Sequence, residues 1–338
     1  MTGKREFIAQ VSSPMGFLKV LETLPQQSQL LAINYHRVGD QGATEFDPEV
    51  FSIDPERLAT QISYFKRHYT LLEPAEALDI IGGKAKPRGL SILLTFDDGY
   101  RDNLNLAVPV LKALGAKAMF FLVSSFLDDP HQVPWWDKIA WMTRRSVGKT
   151  IHLSQPEPLS VPVSADQIDH AIKTILRQFR KADVDEARFF ADLEATAGRC
   201  DPQALVPLLM DWTDARALHD AGMTIGVHTH NHPILSRLSY AGQIDEMTTC
   251  KRKLTNKLGV SADTIAYPVG SKSAFTDETK RAARDAGFKA GFSFYGGTNK
   301  PGRMDRFDVK RVSFPNYASH ARMRTATGLI AASGRVWF

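Results

Sequence analysis

The chain has 338 residues, of which 43% are hydrophobic and 23% charged, with a formal net charge of +5 at pH 7. A chain of this size and composition buries most of its unfolded surface without disulfides. Its two cysteines, Cys200 and Cys250, lack metal-ligand spacing and read as reduced thiols. The basic residues are scattered, the densest run being Lys251-Arg252-Lys253 in a helical pattern, so no nucleic-acid partner is expected.

Residues 1–29 read as a helical or irregular N-terminal segment ahead of one domain over 30–338. The first 27 residues are polar, and no run approaches the ~18 apolar residues of a membrane helix. The expected location is therefore cytoplasmic, with membrane association left open.

Leu30 to Val38 reads as a strand that carries Tyr35 and His36 near its end. Asp54-Pro55 supplies an N-cap and a first-turn proline for a helix to about His68, with Leu58, Ile62 and Phe65 on one face. Ser91 to Phe96 is an apolar run of strand length that ends in Asp97-Asp98-Gly99-Tyr100. A helix from Asn103 to Leu114, with Pro109 as a candidate kink, leads through Gly115 to a strand at Ala118 to Val123. The same helix–glycine–strand rhythm returns at Gly222, Gly259 and Gly287.

Strands near residues 32, 71, 93, 120, 225, 266, 290 and 311 make seven or eight, alternating with helices. That is an α/β pattern with a mainly parallel sheet, either a closed or partly closed barrel or an open doubly wound sheet. Residues 126–213 break the rhythm as a mostly helical insertion. Within it lie a short alternating stretch at Thr150 to Val163, a capping-box pattern at Ser164 and Gln167, and one apolar helical face formed by Ile168, Ile172, Ile175 and Phe179. Its Trp135-Trp136 pair reads as a packing anchor before it reads as a stacking platform.

Two segments carry chemistry. Asp97 and Asp98 end a buried strand, where α/β folds place their active sites, and adjacent residues there point in different directions. One of them can bind a metal while the other moves a proton. The second segment, His228-Thr229-His230-Asn231-His232-Pro233, also follows an apolar strand and holds three of the ten histidines. Pro233 disfavours a helix through His232, so the histidines converge, if at all, from a curled loop. Two imidazoles and a carboxylate make an open three-ligand zinc site, and a second carboxylate beside it can accept a proton.

These residues closely resemble the polysaccharide deacetylase family of metal-dependent carbohydrate esterases. Its T-F-D-D-G motif stands here as Thr95 to Gly99, and its H-[ST]-x-x-H motif as His228 to His232. The resemblance implies a distorted (β/α) barrel, with Asp97 as catalytic base and Asp98, His228 and His232 as ligands of a divalent metal, Zn2+ foremost. His230 falls on a variable position of the motif. Tyr267-Pro268-Val269-Gly270 looks like the family's third motif, whose loop lines the sugar site. Tyr100, Tyr267, Pro268 and Gly270 are therefore the substrate-binding candidates.

Two family features are missing: the arginine before that third motif, for which Arg311 is a candidate base-orienting substitute, and the C-terminal leucine-x-histidine that supplies the acid. Tyr35-His36-Arg37-Val38 resembles instead the permuted subgroup of biofilm poly-N-acetylglucosamine deacetylases. There an N-terminal histidine does that work, which makes His36 the candidate acid rather than a satisfied core histidine. The insertion over 126–213 lies outside the family core that the resemblance implies.

The activity implied is hydrolytic removal of an N-acetyl group from a carbohydrate. The alternatives are an O-deacetylase or another C–N amide hydrolase on the same metal centre, and a non-catalytic carbohydrate-binding protein.

Overall fold

The computed structural model describes residues 22–200, 207–316 and 318–336. The expected N-terminal segment falls largely outside them, since β1 begins at Gln29. Seven parallel strands form the frame: β1 (Gln29–Tyr35), β2 (Leu90–Phe96), β3 (Met119–Leu122), β4 (Thr224–Val227), β5 (Thr264–Ala266), β6 (Ala290–Phe292) and β7 (Arg311–Val312). Each pairs with its neighbour in chain order, and β7 returns to β1 through Ala32↔Arg311 and Ile33↔Val312. A bridge between Phe292 and Val309 brings β6 to the chain leading into β7, so the barrel is nearly closed. This settles the choice between barrel and open sheet. The strand expected near 71 exists as Thr70–Leu71, but it pairs on the flank of β2 and takes no place in the ring.

Strand alternation sorts the core into two layers. Leu30, Ala32, Leu93, Met119, Phe121, Ala266, Ala290, Phe292 and Val309 pack together in one cluster, which the helix Pro74–Ile81 joins through Ala77, Ile80 and Ile81. The intervening residues Leu31, Ile33, Ile92, Leu94, Phe96, Phe120 and Leu122 face the surrounding helices. Asn34, Thr95, Asp97 and Arg311 continue the first register, and all four are buried. Polar chemistry thus begins where the apolar filling stops, at the C-terminal ends of the strands.

The helix after β2 starts as a π-helical turn, Asn103–Ala107, before the α-helix Val108–Ala113. Pro109 sits in the first turn of that α-helix, where its missing N–H costs least, so a change of helix type takes the place of a kink.

By contacts the chain divides into two compact units. The first comprises residues 1–39, 52–129 and 209–338, and the second 40–51 and 130–208. Thus 126–129 and 209–213, read from sequence as part of the insertion, go with the barrel, while 40–51 joins the second unit. That unit holds the antiparallel pair Thr150–Leu153 and Leu159–Pro162 with three helices, Trp135–Arg144, Ile168–Phe179 and Glu186–Ala197. Trp135 stacks on Phe179 at 4.6 Å and packs edge-on to Trp136 at 5.1 Å, so the tryptophan pair anchors the unit's own core. The Ser164–Gln167 capping box does not form. Residues 165–167 are a 3-10 turn in which the Ser164 carbonyl accepts the Gln167 N–H at 3.2 Å, while the Ser164 side chain makes no cap bond.

Gly226 in β4 shows how tightly the barrel interior is filled. A Cβ there would lie 2.5 Å from the Phe121 ring and 2.9 Å from the Thr264 hydroxyl. Gly226→Ala should lower the unfolding free energy by about 1–3 kcal/mol through overpacking. The expected signature is a lower urea midpoint with an unchanged slope; an unchanged midpoint would show that Phe121 yields at no cost.

Candidate active site

The backbone divides the two adjacent carboxylates. Asp97 still follows the strand, its N–H donating to the Tyr35 carbonyl at 3.0 Å, whereas Asp98 turns into the left-handed region at φ +74°. Their side chains therefore meet different partners.

Asp97 is clasped. Arg311 donates through Nη1 to Oδ1 at 2.7 Å and through Nη2 to Oδ2 at 2.8 Å, and Asn34 Nδ2 adds a bond to Oδ2 at 3.0 Å. Asn34 Oδ1 in turn accepts from Thr95 Oγ1 at 2.7 Å and from Arg311 Nη1 at 2.8 Å. Arg311 is fully buried, and its guanidinium lies over the Phe121 ring. Burial pushes the Asp97 carboxyl up, but Arg311 foremost and His228 outweigh it, so the group lies below the usual carboxylate range. It is an anion at neutral pH.

Asp98 faces the histidines. Its Oδ1 lies 3.3 Å from His228 Nε2 and 3.4 Å from His232 Nε2, is buried, and has no hydrogen-bond partner. Burial opposes its ionisation, yet the two facing imidazoles hold it well below the ordinary carboxylate value. Both histidines come from the loop after β4, which stays irregular as Pro233 requires. Thr229 (φ +67°) and His232 (φ +56°) sit in the left-handed region, a cost of order 1–3 kcal/mol each for such residues. The Thr229 hydroxyl accepts the His232 N–H at 3.1 Å and closes the turn. His228 Nδ1 lies 2.8 Å from the Ala266 carbonyl, which makes Nδ1 a donor and fixes the ring so that Nε2 is the nitrogen facing Asp98.

This donor set fits a metal ion. Asp98, His228 and His232 bring one ligand atom each within 4.8 Å of one another. A tetrahedral ion with bonds of about 2.0–2.1 Å holds its ligands about 3.3–3.4 Å apart, which matches the two carboxylate–imidazole separations. A buried carboxylate oxygen without a hydrogen bond, opposite two imidazole nitrogens, is the arrangement that a cation satisfies.

His36 follows β1 at the same end of the barrel. Its Nε2 is 4.0 Å from Asp97 Oδ2, the same separation as from His228 Nε2 to that oxygen. Its side chain keeps 24% exposure, so solvent reaches the ring while the Asp97 carboxylate is nearly dry. The backbone of His36 is held at both ends, its N–H on Ser52 Oγ at 2.9 Å and its carbonyl by Asn103 Nδ2 at 2.6 Å.

The substrate-binding candidates fare differently. Tyr267 is fully buried, with its hydroxyl on the Phe307 carbonyl at 3.0 Å and its ring stacked on Phe275, so it belongs to the core. Tyr100 is also fully buried, beneath the Arg37 guanidinium. Pro268 and Gly270 are buried, which leaves Val269 as the half-buried residue of that loop. The Gly99 N–H, an oxyanion donor candidate by its place in the Asp-Asp-Gly-Tyr turn, is already used by the Asp97 carbonyl at 3.0 Å.

Sequence reasoning passed over Asn34, Glu246 and Phe294. Phe294 is half-buried, its ring centroid 5.5 Å from that of His36. Its N–H donates to Gly270 O at 2.7 Å, so it stands beside the third-motif loop. A polar residue at an inward-facing strand position was the available signal for Asn34. Glu246 and Phe294 had none. His230 is not among the three converging donors, and its Nδ1 is 2.8 Å from Ser124 Oγ.

The Arg311–Asp97 pair invites a cycle of stability measurements. Asp97→Ala should cost about 3–5 kcal/mol by stranding a buried cation, and adding Arg311→Leu should recover most of that loss. Additive losses in urea unfolding would mean that the two charges do not depend on each other.

Among solved structures the fold matches IcaB from Ammonifex degensii (TM-score 0.57, 18% identity, covering 92% of this chain and 100% of that one). It also matches a de-N-acetylase from Aggregatibacter actinomycetemcomitans (TM-score 0.56, 17% identity, 88% and 99%). In sequence, the chain is 24% identical over 261 residues to YxkH of Bacillus subtilis (strain 168), covering 77% of this chain and 61% of that protein. It is 28% identical over 131 residues to the poly-beta-1,6-N-acetyl-D-glucosamine N-deacetylase of Escherichia coli (strain K12), covering 36% of this chain and 19% of that enzyme. The chain thus spans less than two thirds of either relative. The polysaccharide deacetylase family model matches residues 84–151 and 161–291, which takes in most of the expected insertion but neither His36 nor Arg311. With more than half of its length matched, the chain belongs to the polysaccharide deacetylase family.

Proposed function

We propose that this protein is a metal-dependent hydrolase that removes the N-acetyl group from an amino sugar within a glycan and releases acetate. The observation that carries this reading is the position of Asp97 Oδ2, 4.0 Å from both His36 and His228, beside three converging metal-ligand atoms. Asp98, His228 and His232 would hold a divalent ion, zinc by its donor set. When bound, such an ion polarises the acetyl carbonyl and makes water acidic near neutral pH.

Asp97, ionised and oriented by Arg311 and Asn34, takes the proton of the attacking water. Its low proton affinity makes it a modest base, which suits a water that is itself acidified. His36, 4.0 Å from the same carboxylate oxygen and open to solvent, delivers a proton to the departing nitrogen. An amine leaves poorly without that proton, so an acid beside the base favours amide over activated-ester chemistry. Phe294, half-buried next to His36, offers an apolar ring to the face of a sugar. The name of the Escherichia coli relative supports N-acetylglucosamine as the sugar.

The test is acetate release from N-acetylated sugars, oligosaccharides and lipid-linked sugars, with and without chelator. Activity should vanish on chelation and return with zinc. Asp97→Asn should keep the metal and lose at least 100-fold in kcat, within the usual size of general-base effects. His36→Ala should lose far more activity on acetamido sugars than on an aryl acetate. Chelator-resistant turnover, or an Asp97→Asn variant near wild-type rate, would remove the proposal, and equal losses on both substrate types would reassign His36.

A further inference from the structure

The loop that carries both histidine ligands does not hold its shape by local preference. Two of its residues, Thr229 and His232, take left-handed backbone angles without being glycine, asparagine or aspartate. Three sets of bonds impose that shape. The Thr229 hydroxyl closes the turn on the His232 N–H, and the N–H groups of Ser124 and Ser125 cap the carbonyls of Thr229 and His230 at 3.3 and 2.9 Å.

The third set comes from one side chain on a separate helix, Tyr240–Leu258. Glu246 Oε2 accepts the N–H of His230 at 2.9 Å and of Asn231 at 2.8 Å, and its Oε1 accepts Asn231 Nδ2 at 2.7 Å. One carboxylate thereby takes three donors from two of the three residues that separate the first and last histidine of the motif. The helix itself is pinned by Met247, Cys250 and Leu254, all fully buried, with Cys250 Sγ donating to the Leu122 carbonyl of β3. Glu246 therefore ties the loop to the barrel wall.

We infer that Glu246 is a positioning residue for the metal centre: its carboxylate holds His230 and Asn231 so that His228 and His232 face Asp98 before an ion arrives. The inference rests on the metal-centre reading above and adds the source of the site's preorganisation. The bonds of Glu246 go to His230 and Asn231, between the ligands, so it acts through the shape of the loop. Its three bonds need both the charge and the full length of the side chain. Glutamine keeps the length but turns an amide NH2 towards donors, whereas aspartate keeps the charge but falls one carbon short.

The experiment is a zinc titration of the metal-free full chain against a chromogenic chelator, for wild type, Glu246→Gln, Glu246→Asp and His232→Ala. Both Glu246 variants should bind zinc about 10–100-fold more weakly, as outer partners of metal ligands do. Acetate release by these variants should recover towards the wild-type kcat as zinc is raised. Affinity within twofold of wild type in both variants would overturn the inference, and so would weakening in Glu246→Gln alone, which would assign the effect to charge at a distance. A purely structural role would lower the melting temperature at every zinc concentration and leave the titration unmoved, again overturning it. If one variant fails to fold by circular dichroism, the other decides. Wild type that binds no zinc, or His232→Ala that binds it as well as wild type, would instead sink the metal-centre reading itself.

Discussion

A guanidinium with no exposed surface lies inside this barrel, and the site is arranged around the need to compensate it. Arg311 enters from the short last strand and meets Asp97 with two parallel bonds at 2.7 and 2.8 Å. A planar fork of this kind fixes both distance and orientation. It links β7 to β2 across β1, and Asn34 and Thr95 tie the intervening strand into the same network. Without Asp97 the cation would be stranded in a low-dielectric interior; without Arg311 the carboxylate would favour its protonated form.

That pairing decides how the two neighbouring aspartates divide their work. Asp97 is committed to Arg311 and reaches the centre with an oxygen already ordered. Asp98 is rotated away by its positive φ and left with a buried oxygen opposite two imidazoles. The histidine loop carries matching strain at Thr229 and His232. Strain and unsatisfied polar atoms of this sort persist where the surrounding fold over-determines the geometry, and those of Asp98, Thr229 and His232 meet past the C-terminal ends of the strands. Below them the interior is apolar and tightly filled, so the polar groups gain a dry floor.

Much of the fold was legible because strands and helices of a parallel barrel follow a short local rhythm. Apolar runs of strand length, helices ended by glycine, and chemistry just past the strand ends placed seven or eight strands in a mainly parallel sheet, and the structure supplied their order and the closure. Periodicity could not say that Thr70–Leu71 stands outside the ring, since a two-residue strand pairs on whichever edge is free. It also could not show that 40–51 groups with 130–208, because that contact is remote in sequence. Pro109 signalled a disturbed helix, and only the folded chain resolved it as a π-helical turn.

The same division runs through the site. Sequence alone determined which residue types were available, two aspartates at one strand end and histidines at another, because motif spacing is local and each motif ends an apolar strand. Tertiary structure decided what each could reach. Tyr267 and Tyr100 looked suited to a sugar and are core residues, since their exposure depends on what packs over them. Arg311, some 214 residues after Asp97, could be guessed from sequence but not placed. Asn34 stood out only as a polar residue at an inward-facing strand position, and Glu246 not at all, because a hydrogen bond across a barrel or from a neighbouring helix leaves no trace in local pattern. Composition and spacing name the chemical groups; distance and burial, which only the closed barrel creates, assign them their work.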